Sequence, residues 1–385
     1  MKKCMYVAFI LYLLNLPVFA AQGSIKIPAP STTYNLAQTI KWINDDVFAV
    51  GRWDGTISLF REPNGAKEYG PVIIQSFTTP GRKGIEMLQK IGKTFVVSSN
   101  NSRSMAVWKI HDNTLILEDI LQYDQKLGTA NAGVGLFIDE KLQFIAGHEN
   151  GYISQWEYDG DVFKNIRVVD VRTNAAPANP FNLYNIRGVV AFQKDLVILA
   201  SEDGDLSIYK VTTGEVLIRK RYNNAAKRGI NSISYVNGYL LVGNCSVGAD
   251  DKNLWLYKVS ENSIEMVDAV NLKIDATLEQ VFDFDVKLLR RHGKMYFYAS
   301  TGEGLIWLGE VANDHLSPLD NAKVSAEGGA AIDIDPDENN IAAVSSAIRL
   351  FPSIKDTEKG KAEEVVSTNF EKKQGNVPTR LTTRP

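Results

Sequence analysis

The sequence predicts an all-β protein, a seven-bladed β-propeller closed by an N-terminal strand. A hairpin pattern recurs along the chain, as in VFAVGRWDGTISLFRE at 47–62, FIAGHENGYISQWE at 144–157 and VILASEDGDLSIYK at 197–210. The repeated unit spans roughly 40 to 50 residues, which is the length of one four-stranded propeller blade. Helical periodicity is hardly visible before residue 354, so a helical solenoid fits the sequence poorly.

Every unit repeats the same order of strands. An apolar run leads through a short turn to a second run that ends in small residues, and a polar turn then leads to a third run. The third run ends in an aromatic or large apolar residue, at Phe60, Trp108, Trp156, Tyr209, Tyr257, Leu308 and Phe351. A further run, such as VIIQSF at 72–77, follows it. Four short strands per unit are typical of a propeller blade.

The first strand of each unit is predicted at 39–43, 85–91, 133–138, 187–192, 231–236, 282–289 and 330–334. The seventh unit supplies only three strands before the chain turns polar at Lys355. An open ring would leave sheet edges that invite aggregation. We therefore expect residues near 24–36 to supply the outer strand of the seventh blade and to close the ring.

The hairpins GRWDGTISLF, GHENGYISQW and SEDGDLSIY resemble those of the WD-repeat propeller family. In that family a small-residue strand, an Asp-Gly-type turn and an aromatic-ended strand recur. The segment IDIDPDENNIAAVSS at 332–346 is similar to the family's first hairpin. The chain departs from the family because no terminal aromatic residue is followed by Asp. The resemblance covers residues 24–354 and implies the architecture only.

Residues 1–20, MKKCMYVAFILYLLNLPVFA, have the features of a secretory signal peptide. Lys2 and Lys3 precede an apolar run that is too short to span a bilayer comfortably, and small residues follow; an uncleaved anchor is the alternative. We expect a bacterial-type exported protein, periplasmic or secreted. Residues 21–354 would then form the propeller, and residues 355–385, which are rich in charge, a disordered tail.

The composition is that of an ordinary globular protein. The 385 residues are 44% hydrophobic and 23% charged, and the formal net charge is -3. A mildly acidic chain gives no general reason to expect nucleic acid as a partner. Cys4 lies in the predicted signal peptide, so Cys245 remains alone after cleavage and no intrachain disulfide can form. We interpret Cys245 as a buried small residue.

Metal ligands and catalytic motifs are sparse in the sequence. Four histidines fall in four different units, which makes a zinc site improbable. Asp333, Asp335 and Asp337 begin a D-x-D-x-D string, but Glu338 and Val344 stand where a calcium loop needs Gly and a bidentate acid. The turn between two inner strands is therefore favoured over a calcium site. The sequence indicates neither a metal nor a cofactor.

Asp283 and Asp285 alternate with Phe in a predicted inner strand, so both are expected to face the central channel. They could hold a cation or a basic peptide there, but hydration by channel water is the favoured alternative, since one pair has too few ligands for a cation. No nucleophile elbow, Walker-type loop or H-E-x-x-H motif occurs. The sequence therefore favours a role other than catalysis.

One face of the predicted disc collects the candidate contacts. The turns between second and third strands and the connections between blades gather on the same side, named here the loop face. Its candidate partner-binding residues are Arg52, Trp53, Arg82, Lys83, Arg103, His148, Arg187, Lys227 and Arg228. Exposed Trp and Arg are over-represented in dominant binding contacts. The equally weighted alternative is that these residues only form ordinary hydrophilic turns. Trp53 is the residue that this alternative explains least.

The sequence thus predicts an exported propeller that acts as a protein-binding or scaffolding module through its loop face. We expect the partner to be another protein or a peptide, and the cations favour an acidic one. We expect no nucleic acid partner, no membrane span after cleavage, and a monomer when alone. The alternative is an enzyme of the sugar-lactonase or quinoprotein type with a site over the channel, because one fold hosts many functions.

Overall fold

The repeated hairpins form seven antiparallel sheets of four strands each in the computed structural model. The structure describes residues 23–26, 37–62, 72–80, 84–100, 103–172, 184–221, 229–244, 252–274, 283–324, 329–335, 340–345 and 347–352. The predicted signal peptide at 1–20 and the predicted tail at 355–385 lie outside these residues.

Each sheet is one blade, and the blades are numbered 1 to 7 by their innermost strands. These are β2 (Ala37–Trp42), β6 (Ile85–Ile91), β10 (Ala130–Ile138), β14 (Ile186–Gln193), β18 (Ile230–Val236), β22 (Asp283–Arg291) and β26 (Ala331–Ile334). The second strands are β3 (Val47–Arg52), β7 (Phe95–Asn100), β11 (Lys141–His148), β15 (Leu196–Ser201), β19 (Tyr239–Asn244), β23 (Lys294–Thr301) and β27 (Asn340–Val344).

The third strands carry the terminal aromatic or large apolar residues. They are β4 (Thr56–Arg61), β8 (Ser104–His111), β12 (Tyr152–Tyr158), β16 (Asp205–Lys210), β20 (Leu254–Ser260), β24 (Leu305–Ala312) and β28 (Ala347–Pro352). The outer strands are β5 (Val72–Thr78), β9 (Thr114–Gln122), β13 (Phe163–Asp170), β17 (Glu215–Arg221), β21 (Ser263–Val270), β25 (His315–Lys323) and β1 (Gly23–Lys26). A short 3₁₀ helix, Gln125–Leu127, precedes blade 3.

The innermost strands form a closed ring around a central channel. Each contacts the innermost strand of the next blade, and β26 of blade 7 contacts β2 of blade 1. The outer strand of blade 7 is β1, which pairs antiparallel with β28 so that Ile25 lies opposite Ile348. The all-β, seven-bladed architecture and its closure by an N-terminal strand are therefore confirmed.

The hydrophobic core is divided among the contacts between neighbouring blades. Every residue of β3 and of β15 is buried, because both faces of a second strand are covered. One cluster joins Ile198 and Ile208 of blade 4 to Ile233 and Leu240 of blade 5. Another joins Phe48 of blade 1 to residues of blade 7. Packing between blades thus supplies the apolar burial that stabilises the ring.

The small residues that end the second strands are explained by this packing. A Cβ atom on Gly51 would lie 2.6 Å from Cγ2 of Ile85, and one on Gly147 would lie 2.4 Å from Cγ2 of Ile186. In both cases the neighbour is the first residue of the next innermost strand. A larger side chain would separate the two blades at this point.

Candidate functional site

The central channel and its opening on the loop face form the candidate site. A cavity of about 900 Å³ is lined by all seven innermost strands. Trp53 and Glu202, from turns between second and third strands, line the same cavity. The cavity therefore opens on the loop face, and its volume lies within the range of ligand-binding pockets.

One wall of the channel carries two ion pairs. Nζ of Lys41 lies 3.1 Å from Oδ1 of Asp333, and Nζ of Lys287 lies 2.7 Å from Oδ1 of Asp285. Burial opposes the charged form of Lys287, but the carboxylates of Asp285 and Asp333 outweigh it, so its pKa is raised. On the neighbouring blade 2, partial burial and the charge of Lys41 lower the pKa of Lys90.

The two carboxylates also join neighbouring blades through hydrogen bonds. Asp285 of blade 6 accepts from the Ser232 hydroxyl of blade 5 at 2.8 Å and from the backbone N–H of Ile332 of blade 7 at 3.0 Å. Asp333 of blade 7 accepts from the backbone N–H of Trp42 of blade 1 at 2.9 Å. Each carboxylate therefore links the innermost strands of neighbouring blades, and the lysines supply the compensating positive charge.

The opposite wall, from blades 2 to 4, is lined by small and apolar residues together with a few polar and charged ones. Met87 of blade 2, Ala132 and Val134 of blade 3, and Gly188 and Val190 of blade 4 line the cavity there. Glu86 and Gln89 of blade 2, Asn131 of blade 3 and Arg187 of blade 4 also line the cavity, so polar and charged groups occur on both sides of the channel.

Two aromatic rings stand at the mouth of the channel. Trp53 is 38% exposed and Phe284 is 48% exposed, and both line the cavity. A Cβ atom on Gly84 would lie 2.3 Å from Cε3 of Trp53, and one on Gly329 would lie 1.8 Å from Cδ2 of Phe284. Each ring therefore rests on a glycine that leads into the next innermost strand, and this glycine makes room for it.

The other side of the mouth, in blade 4, is polar. Nε of Arg187 lies 3.2 Å from Oε2 of Glu202, whose side chain is buried. The backbone carbonyl of Asn185, which lies just before β14, accepts a hydrogen bond from the backbone N–H of Glu202 at 2.7 Å. The amide of Asn131 donates to the side-chain oxygen of Asn185. This part of the rim presents an arginine whose position is set by a buried carboxylate.

The remaining predicted contacts occupy different environments. Arg103 is exposed on the loop face, whereas Arg52, in the last position of β3, is only 8% exposed. His148 is 0% exposed, so its ring belongs to the interior and not to the surface of the loop face. Arg82, Lys83, Lys227 and Arg228 lie outside the described residues, as does Cys245.

His148 is buried because it completes a chain of hydrogen bonds in blade 3. Nε1 of Trp156 donates to Oγ of Ser154 at 2.9 Å, and Oγ of Ser154 lies 2.7 Å from Nε2 of His148. Nδ1 of His148 lies 3.3 Å from the carbonyl oxygen of Gly128. A neutral ring protonated on Nδ1 satisfies every group, since Ser154 then accepts from Trp156 and donates to His148.

The aspartate string is placed in the last blade. Asp333 lies in β26, where its carboxylate pairs with Nζ of Lys41 and accepts a hydrogen bond from the backbone N–H of Trp42. Asp335 follows the strand and is buried. Asp337 lies outside the described residues. Among the residues that the structure describes, no three His, Cys, Asp or Glu side chains come together in a group that could hold a metal ion.

Phe284, Lys41 and Lys287 are among the residues of the site that the sequence prediction omits. A register shift between Asp283 and Asp285 breaks the simple alternation expected along β22, and Phe284 also lines the cavity. For Lys287 a signal was present, because it stands two residues after Asp285 and so shares its side of the strand. Lys41 has no such signal, since its partner is distant in sequence.

Comparisons with known proteins do not narrow the class further. No protein family matches the chain, and no curated protein matches it. Within the described residues, no helix is long and apolar enough to cross a membrane. The fold and the site therefore define a seven-bladed β-propeller with a polar, aromatic-rimmed channel mouth, of a kind that serves as a binding module or carries an enzyme-like site.

Proposed function

We propose that this protein is an exported propeller that binds another protein or a peptide on its loop face. The observation that carries the proposal is Trp53, a partly exposed indole seated on Gly84 at the mouth of the channel. Burying such a ring against a partner contributes a few kcal/mol to binding, on the order of 2. The hairpins that resemble WD repeats support a scaffolding role of the kind such propellers have.

The rim offers an incoming chain two kinds of contact. Trp53 and Phe284 provide apolar area on one side, and Arg187 provides a guanidinium on the other. The carboxylates of Asp285 and Asp333 inside the channel are already held by lysines and backbone N–H groups. These features favour recognition at the rim over chemistry in the channel.

The first prediction is that Trp53→Ala weakens binding at least tenfold, or about 1.4 kcal/mol, and leaves the melting temperature nearly unchanged. A pull-down from the producing organism with the wild-type protein would supply the partner, and its affinity for purified variants would then be measured. Phe137→Ala is the matched control, because Phe137 is 61% exposed near the end of β10, on the side opposite the loop face. Unchanged affinity with a much lower melting temperature would make Trp53 a packing residue.

Gly84→Ala tests the same contact without removing the indole. The new methyl group would occupy the space of the Trp53 ring, and the ring would have to move. We expect weaker capture in this variant too. Equal affinity of Gly84→Ala and the wild type would count against a defined role for the orientation of Trp53.

Export is proposed from the basic and apolar residues of 1–20. The N-terminal sequence of the protein recovered outside the cytoplasm checks it, and a protein that still begins at Met1 would contradict cleavage. The second candidate function is a small-molecule enzyme, favoured by the cavity volume of about 900 Å³. A small molecule retained by the purified protein in native mass spectrometry would favour that candidate.

A further inference from the structure

One loop-face turn has an arginine where the corresponding turns have glycine. The turns between second and third strands contain Gly55, Gly151, Gly204 and Gly304, with φ of 79°, 76°, 95° and 73°. The equivalent position in blade 2 is Arg103, with φ of 62°. Other described non-glycine residues with positive φ, such as Glu140 at 67°, lie in turns on the opposite side of the disc.

The left-handed conformation favours glycine because an L side chain crowds the following carbonyl oxygen there. Asn and Asp relieve the strain by local hydrogen bonds of their side chains, whereas the long side chain of Arg does not. The fold itself accepts glycine at this position, as four other blades show. Arg103 therefore strains the turn without being required by it.

Among the described residues, none pairs with the side chain of Arg103 to compensate this strain. It is exposed, and in the part of the chain that the structure describes its guanidinium makes no hydrogen bond or ion pair. Arg172 and Arg187 on the same face differ, because Arg172 donates to Asp170 at 2.9 Å and Arg187 is paired with Glu202. The charge of Arg103 thus remains available to a ligand.

We propose that Arg103 is a specificity-determining contact that binds a carboxylate of an acidic segment in the protein partner. This inference rests on the proposed function, since it names the chemistry that the loop face would recognise. A guanidinium matches a carboxylate through two parallel hydrogen bonds, and no acid within the described ranges is paired with Arg103. One exposed guanidinium provides a site for one carboxylate, whereas nucleic acid binding draws on a patch of basic residues.

The experiment selects binders from a phage-displayed library of random linear peptides on the wild-type protein. The enriched peptides are then measured against Arg103→Gly, Arg103→Lys and Trp53→Ala. Glu140→Gly is the matched control, because it relieves the same kind of backbone strain on the opposite side of the disc. Thermal melts are recorded for every variant.

We expect the enriched peptides to be acidic. Their affinity should fall at least about tenfold for Arg103→Gly, fall less for Arg103→Lys and stay unchanged for Glu140→Gly. The melting temperature of Arg103→Gly should equal or exceed that of the wild type. Peptides that depend on Trp53 but lack acids, or that bind Arg103→Gly equally well, would overturn this inference and leave the proposed function standing. A melting temperature of Arg103→Gly several degrees below that of the wild type would also overturn this inference. If no peptide is enriched, or if Trp53→Ala has no effect, both the proposed function and this inference fail.

Discussion

At the scale of single residues, His148 shows how burial selects one protonation state. Desolvation lowers its pKa to about 4, although its hydrogen bond to the Gly128 carbonyl acts in the opposite direction. A protonated ring would donate from both nitrogens, and the Ser154 hydroxyl would lose its acceptor. The folded protein therefore holds His148 neutral.

This burial predicts acid sensitivity in a defined interval. The unfolded chain takes up a proton near pH 6.5, but the folded state does so only near 4. The free energy of unfolding should therefore fall as the pH drops through this interval, by on the order of 3 kcal/mol in full. Denaturant unfolding at pH 7 and pH 5 measures the fall.

His148→Gln should be less stable at pH 7, and its stability should change less between pH 7 and pH 5 than that of the wild type. His111, which is exposed on blade 2, provides the matched control as His111→Gln. The prediction is wrong if His148→Gln and the wild type lose the same free energy over this interval.

At the scale of elements, a bulge recurs in the outer strands of blades 1 to 6. In blade 1, Leu59 pairs with Gln75 and Phe60 pairs with Ile73, so that Ile74 is the extra residue. The extra residues of blades 3, 4 and 6 are Ile166, Leu217 and Leu319, which are exposed apolar side chains. A bulge strengthens the twist and interrupts the ladder, which makes an exposed edge a poorer template for pairing with another chain.

The ion pair between Lys41 and Asp333 joins the innermost strands of neighbouring blades, and it predicts a measurable interaction energy. Asp333→Asn removes the ion pair between β26 and β2 and leaves Lys41 without its carboxylate. We expect a loss of roughly 1–3 kcal/mol in the free energy of unfolding. In a double-mutant cycle, Lys41→Met should cost less in the Asp333→Asn background than in the wild type.

The pair between Lys194 and Asp139 is the control for this cycle, because both of its side chains are largely exposed and its N–O distance is a similar 3.2 Å. Removing it should change stability very little. Strictly additive effects of Lys41→Met and Asp333→Asn would show that the pair between these two residues contributes no interaction energy.

At the scale of the whole molecule, closure depends on strands from opposite ends of the chain. β1 supplies residues 23–26 to blade 7, and β26, β27 and β28 supply the rest. The contact is non-local, so the entropy of closing a very long loop must be offset by the pairing and packing of blade 7. The ring has no internal substitute for β1 among the described residues.

Deletion of residues 21–36 should therefore expose the edge of β28 and cause aggregation or a loss of cooperative unfolding. Size-exclusion chromatography and thermal melts of a chain that starts at residue 21 and of the deletion variant measure both effects. Removal of residues 355–385 is the control, because the sequence predicts that they take no part in the propeller. A deletion variant that elutes and melts like the chain starting at residue 21 would contradict the role of β1.

Much of the candidate site was beyond prediction from the sequence. Trp53 and Arg103 could be assigned to the loop face because turn positions follow from the hairpin repeat. The burial of His148 could not, since it depends on Gly128 and Ser154 meeting the ring in space. The same holds for the ion pair of Lys41 with Asp333, whose members stand at opposite ends of the propeller sequence.

The sequence by itself determined the number of blades, the order of their strands and the need for a closing strand. The reason is physical, because alternating apolar runs and turn residues act over a few positions and are written anew in every blade. Only the tertiary structure decided which loop-face side chains are exposed and which channel charges are paired. Burial and pairing depend on neighbours supplied by other blades, and no local pattern encodes the distances between them.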